Sequence, residues 1–319
     1  MDKTEEARPG APSRAGAAAL SGDAAGGGAG WTGFAARSEL PGLSVAYDDA
    51  AATLTSRFTH DPRPNVTMQV VRSCNALYDA VARRQAADPL AFYVMGSARE
   101  DIYSYGGDFT AFLDIIARQD REAMSAYARG CVEAVHKVHT ALGGETVTIA
   151  AVAGEALGGG LECALSCDLI VAERTAQLGL PETKFGLYPG MGAIAFLQRK
   201  VGRQLTEELV LSGRVMGAEE GAKLGIVDVV CEPGALAEAV RRTTADVAKR
   251  RATYGALLAN RRNHDPVTLG ELTGMVDRWT DDALALDRRG RRFIEILLSK
   301  QQARMAADPK IVPLRRGGA

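Results

Sequence analysis

The chain has 319 residues, of which 46% are hydrophobic and 24% charged, with a formal net charge of −1. These values match the averages of soluble globular proteins and allow one large domain or two modest ones. They supply no long-range attraction for nucleic acid or an anionic membrane, and no apolar run approaches the roughly 18 residues needed to span a bilayer.

Residues 1 to about 35 are dominated by Ala, Gly, Ser and Pro, as in AAGGGAG at 24–30. Such a segment buries too little apolar surface to offset its ordering entropy, so disorder is expected. It also lacks the basic start and apolar centre of a secretory signal. The five cysteines (Cys74, Cys131, Cys163, Cys167, Cys231) are odd in number and scattered, which fits reduced thiols in a cytoplasmic protein.

From Gly42 the pattern changes. Residues 43–47 and 53–58 predict a β-hairpin, and 67–85 a helix with Met68, Val71, Leu77 and Val81 near one face. Residues 90–95 form a buried-strand run, followed by Gly106-Gly107 and helices over 109–118 and 121–142. A strand at 147–152 leads into a glycine-rich loop, 154–160, then a short helix at 161–166 and a strand at 168–172. Strands alternating with helices predict an α/β fold with crossover connections. After Gly192 the only strand signal is 226–230. Helices are expected at 235–249, 253–262, 268–286 and 289–305. The division is a tail (1–38), an α/β core (39–232) and a helical C-terminal region (233–319).

The strongest local feature is ALGGGLECAL at 156–165. Three glycines after a strand let the backbone turn tightly and approach a ligand without Cβ interference. The helix that follows leaves its first N–H groups unpaired, at the positive end of its dipole, facing any developing negative charge. Close helix–strand packing alone would also ask for such glycines. A phosphate cradle is disfavoured, because no Gly-Lys-Ser/Thr follows.

Glu162 sits in that helix among Leu161, Cys163, Ala164 and Leu165. A glutamate is rarely buried without a partner or a task, and burial raises its pKa into the range useful for proton transfer. A second carboxylate, Glu182, follows Pro181 and precedes a glycine-rich loop, 188–192. Two carboxylates in different environments suit a reaction in which one group takes a proton and another gives one. Upstream, Gly106-Gly107 precedes Asp108, which is placed to cap the next helix; the functional reading adds the Gly107 N–H as a second donor.

A strand, a Gly-Gly-Asp loop, some fifty residues, then ALGGGLE and LPE closely resemble the crotonase (enoyl-CoA hydratase/isomerase) superfamily. CDLIVA, LYPGMGA and LSGRVMGAEEGAKLGIVDVV strengthen the likeness, which covers residues 40–305. Within it, GGDFTAF, LYPGMGAIAFL and Arg278-Trp279-Thr280 look most like the bacterial diffusible signal factor synthases. Those members dehydrate a 3-hydroxyacyl thioester on acyl carrier protein and release a cis-2-unsaturated fatty acid.

The resemblance implies a crotonase-like ββα spiral core. It implies backbone oxyanion donors at Gly107 and Gly159, and catalytic Glu162 and Glu182. Substrate contacts are expected from Gly106, Leu157, Gly158, Gly190, Met191 and Trp279. Acyl carrier protein or CoA would carry the substrate, no further cofactor is implied, and a homotrimer or dimer of trimers is expected. An ordinary enoyl-CoA hydratase is the alternative activity. A sensor-binding regulatory protein on the same fold is the non-enzymatic one. Tyr103-Ser-Tyr105, and Gly107 where many relatives carry alanine, depart from the pattern and bear on acyl-chain fit.

A metal site is not expected. His60, His136, His139 and His264 are the only histidines, and none sits in an HExxH context. Cys163 and Cys167 read as small core residues. The arginines at 288–292 and 315–316 suit an acidic carrier or a CoA phosphate as well as they suit a solvated face.

Overall fold

A computed structural model describes residues 30–60 and 63–306. The tail expected to be disordered lies outside these residues up to position 29. Ordered chain nevertheless begins before the expected boundary at residue 39. Helix α1 (Trp31–Ala36) packs Trp31, Phe34 and Ala35 into the core. The Ala/Gly-rich composition hid two aromatic anchors that make that turn worth ordering.

The predicted hairpin forms as β1 (Leu43–Asp48) and β2 (Thr53–Phe58). Helix α2 (Met68–Gln85) is capped by the Thr67 side chain, which accepts from the Val70 N–H. Strands β3 (Phe92–Ser97), β5 (Val147–Val152), β7 (Leu169–Glu173) and β10 (Val229–Cys231) add to β2 in parallel, completing a six-stranded sheet in the order β1-β2-β3-β5-β7-β10. The near-continuous burial of β3, β5 and β7 is what a parallel sheet covered on both faces requires, while the edge strand β10 is half-buried.

A second sheet was not anticipated. Strands β4 (Ile102–Ser104), β6 (Glu155–Leu157), β8 (Gln177–Gly179) and β9 (Val215–Gly217) have three residues each and pair in that order, with only β9 antiparallel. Each long strand β3, β5 and β7 is followed by a short one, β4, β6 or β8, and then by helix. This repeated ββ-helix unit is the spiral the resemblance implied.

Its consequence for the site is direct. The parallel strands β4, β6 and β8 end side by side, and neighbouring strands lie about 4.8 Å apart. Gly106-Gly107, Gly158-Gly159 and Pro181-Glu182 therefore emerge from one edge.

Helices α3 (Phe109–Arg118), α4 (Arg121–His139), α5 (Gly159–Leu165), α6 (Ala193–Val201), α7 (Arg203–Ser212) and α8 (Ala218–Lys223) lie between or after these strands. The C-terminal region is helical as expected. Helices α9 (Leu236–Lys249) and α10 (Arg251–His264) place Ala239, Val247 and Leu258 against Phe92, Ile149 and Val171 of the large sheet. Helices α11 (Leu269–Leu284) and α12 (Arg288–Ala306) bury Val276, Trp279 and Ile294 in the main core, on the side of the three loops. Among the described residues, no helix is long and apolar enough to cross a membrane.

Candidate active site

Of the ten residues singled out in the sequence, nine line one apolar cavity of about 280 Å³; Gly106 does not. Gly106 has a structural task behind the wall. Its φ is +75°, and a Cβ there would lie 2.5 Å from the Gly159 nitrogen. Only glycine permits both the left-handed backbone and the close approach of the two loops. Gly107 and Gly159 both face the cavity. Among the described residues, neither amide donates a hydrogen bond to a protein group.

Asp108 caps α3 as expected, its carboxylate accepting from the Thr110 and Ala111 N–H groups. Helix α5 begins at Gly159, two residues earlier than expected, and has only seven residues. So short a helix carries little macrodipole. What it contributes is the unpaired N–H of its first residue.

Glu162 is 2% exposed. Its Oε1 accepts from the Met191 N–H at 2.7 Å and the Ala193 N–H at 3.0 Å. Burial pushes its pKa up, to about 7, while those two amides hold it down.

Glu182 is the second residue of a 3-10 turn, Pro181–Phe185, and only its own backbone N–H offers it such help. Its Oε2 is buried with no hydrogen-bond partner among the described residues. Its other oxygen faces Gly158, where a Cβ would come within 2.7 Å. Burial, and then the charge of Glu162, push the Glu182 pKa well above the usual carboxylate range. Two buried carboxyls lining one cavity resist ionising together. The negative charge settles on Glu162, where two amides receive it, and the proton on Glu182.

The remaining wall is mostly apolar, with Lys184 and Gln301 as polar exceptions. Phe109 and Phe112 of α3, Tyr127, Ala128 and Cys131 of α4, Phe185, Trp279, and Phe293 and Leu297 of α12 contribute. Trp279 donates its indole N–H to the Tyr188 carbonyl at 3.0 Å and packs on Phe112 with ring centroids 5.5 Å apart. The Phe109/Phe112 pair directly after the glycine loop was the available sequence signal for this wall. The residues from α4 and α12 carried none, because they reach the site only through tertiary packing. Of the other histidines and cysteines singled out in the sequence, His139 packs on Phe196 with ring centroids 5.1 Å apart, and Cys163 and Cys167 are buried in the core.

Comparison with known proteins bears on the fold and the family. The chain is 38% identical over 165 residues to the fatty acid oxidation complex subunit alpha of Pseudomonas paraeruginosa, covering 51% of this chain and 22% of that protein. It thus spans about a fifth of the length of the curated relatives it matches. Among solved structures, enoyl-CoA hydratase from Bacillus halodurans superposes with a TM-score of 0.67 at 20% identity, covering 80% of this chain and 99% of the other. That likeness carries the fold. Pseudomonas aeruginosa DspI superposes with a TM-score of 0.59 at 27% identity, covering 82% and 95% of the two chains. Residues 75–267 match the enoyl-CoA hydratase/isomerase family, and with three-fifths of its length inside that match the chain belongs to it.

Proposed function

We propose that this protein dehydrates a 3-hydroxyacyl thioester on acyl carrier protein and then hydrolyses the thioester, releasing a cis-2-unsaturated fatty acid. The observation that carries the reading is the pairing of one amide-held carboxylate, Glu162, with a second carboxyl, Glu182, whose Oε2 has no hydrogen-bond partner among the described residues, in a cavity that also presents the Gly107 and Gly159 amides. The likeness to DspI supports the signal-synthase branch.

In the first half, ionised Glu162 takes the α-proton and charge moves onto the thioester oxygen, which the two amides receive. Each such donor is worth about 2.7–4 kcal/mol in the transition state. Protonated Glu182 gives its proton to the departing 3-hydroxyl, which leaves as water. The two carboxyls have then exchanged roles. In the second half, Glu182 takes a proton from a water that attacks the same carbonyl, and the amides receive the tetrahedral oxyanion. Collapse breaks the C–S bond, and Glu162 returns its proton to the thiolate. The pair ends in the state from which it began, so the proton inventory closes over the two steps.

The second reading, an enoyl-CoA hydratase of fatty acid metabolism, is favoured by the identity to the oxidation-complex subunit. Mass spectrometry of products from 3-hydroxyacyl-CoA and 3-hydroxyacyl carrier protein separates the two. Free cis-2-enoic acid from the carrier-bound substrate supports dehydration with release. Interconversion with trans-enoyl-CoA and no free acid supports the hydratase. A sensor-binding role without catalysis requires that alanine at both Glu162 and Glu182 leave the biological effect intact.

A further inference from the structure

We propose that Asn65, which lies outside the cavity wall, is a positioning residue that sets the direction of the Gly107 N–H. The inference rests on the reading that this amide receives the oxygen of the enolate.

Two consecutive glycines form the most permissive backbone a loop can have. An amide in such a loop becomes a directed donor only if something else fixes it. The peptide joining Gly106 to Gly107 is anchored first through its carbonyl, which accepts from the Val66 N–H at 2.7 Å. A trans peptide sends its N–H opposite to its C=O, so the Gly107 N–H points away from Val66. One hydrogen bond still lets the peptide plane swivel. The second anchor lies one residue on, where Asn65 Nδ2 donates to the Gly107 carbonyl at 3.0 Å.

Asn65 is itself held. It is 6% exposed, and the Tyr105 N–H donates to the neighbouring Pro64 carbonyl at 2.9 Å. The Val66 carbonyl accepts from the Tyr127 hydroxyl at 2.5 Å. Residues 64–66 therefore run beside 105–107 as a splint of three successive bonds. Nδ2 also faces Gln301 Oε1 of α12 at 3.5 Å. Both neighbours are acceptors, so the carboxamide has one satisfactory orientation. Aspartate in its place would set a carboxylate against two carbonyl oxygens.

The experiment uses acetoacetyl-CoA, whose acidic α-proton and ultraviolet-absorbing enolate report directly on stabilisation of the thioester oxygen. Bound to the wild-type protein, the ligand is expected to ionise at a lower pH than it does free in solution. Asn65→Ala raises that bound-ligand pKa by about one unit, a tenfold weaker preference for the enolate, and Asn65→Asp raises it further. With the proposed substrate, kcat falls by about tenfold or more while KM stays within about threefold, as expected when a contact made only in the transition state is lost. A purely structural role would lower thermal stability without moving the ligand's pKa. Asn65→Ser, which keeps a shorter donor, carries the same comparison if the larger changes unfold the protein. A wild-type shift that survives intact in these variants overturns the assignment of Asn65 alone. Absence of any shift in the wild-type protein overturns the oxyanion reading and this inference with it.

Discussion

Met191 donates its backbone N–H to Glu162 Oε1 at 2.7 Å, so the loop that supplies part of the cavity wall also draws down the pKa of a carboxyl that burial raises. Glu162→Gln leaves an oxygen to accept from Met191 and Ala193 and so keeps the loop in place. It cannot take a proton. The expected outcome is a folded protein with turnover lower by about 10²–10⁴-fold, the usual contribution of a positioned acid–base group. Circular dichroism and product formation measured on the same sample check it. Retained turnover would remove Glu162 from the chemistry.

The two pKa directions also shape the pH profile. The proposed reaction needs Glu162 ionised and Glu182 protonated, so activity should rise as pH passes through about 7. It should then fall as Glu182, held well above the usual range, loses its proton. Glu182→Gln cannot show that descending limb. A wild-type profile that stays flat on its alkaline side would contradict the assignment of Glu182 as the acid.

Stability follows the same shifts with a definite sign. A carboxyl whose folded pKa exceeds its unfolded one binds its proton more tightly in the native state. Its contribution is fully present below the unfolded pKa and is lost as pH rises through the folded value. The wild-type protein should therefore lose stability as pH rises from the ordinary carboxylate range through about 7, where Glu162 ionises, and should go on losing it above that as Glu182 is forced to ionise. The double variant Glu162→Gln/Glu182→Gln should show a flatter profile over that window in urea titrations. Equal slopes in the two proteins would show that the pair is not a source of strain.

Gly158 tests how tightly the second carboxyl is placed. Its φ is +54°, and a Cβ would meet Glu182 Oε1 at 2.7 Å. Gly158→Ala imposes backbone strain of about 1–3 kcal/mol and forces Glu182 to move. Misplacing a reacting group by about 1 Å costs on the order of 10²-fold. Activity should therefore fall much further than the melting temperature alone would suggest. Proportionate changes in both would mean that Glu182 tolerates displacement.

Much of this could be read before the structure, and the rest could not for identifiable reasons. Glu162 among Leu161, Cys163 and Leu165 announced burial, and the Asp108 cap and the Thr53–Phe58 hairpin strand followed from local chemistry. The small sheet left no trace because strands such as Glu155–Leu157 have three residues, too few for an alternation to register. Yet that sheet brings the three loops to one edge. The Met191 bond to Glu162 spans 29 residues, and the Asn65 bond to Gly107 spans 42. Each joins a polar group to a backbone partner that only the folded chain selects. The helix Trp31–Ala36 was masked by its Ala/Gly-rich surroundings, although two aromatics anchor it.

Trp279 allows the apolar part of the cavity wall to be tested apart from Glu162 and Glu182. Its indole lies against Gly190, packs on Phe112 at an interplanar angle of 57° and is tied to Tyr188 through its N–H. Trp279→Ala should destabilise the fold by about 3–5 kcal/mol, the usual cost of deleting a buried large aromatic. It should also enlarge the cavity beside Phe112 while leaving the Glu162 hydrogen bonds untouched. Turnover of a short acyl substrate should then survive better than turnover of a long one, because only the long chain depends on that wall for position. Trp279→Phe keeps most of the bulk and leaves the Tyr188 carbonyl without its donor, so it should cost less stability and disturb chain preference little. Product profiles across a series of straight-chain substrates, read beside melting curves, distinguish the two roles. A uniform loss at all chain lengths would show that Trp279 supports the fold and takes no part in selecting the acyl group.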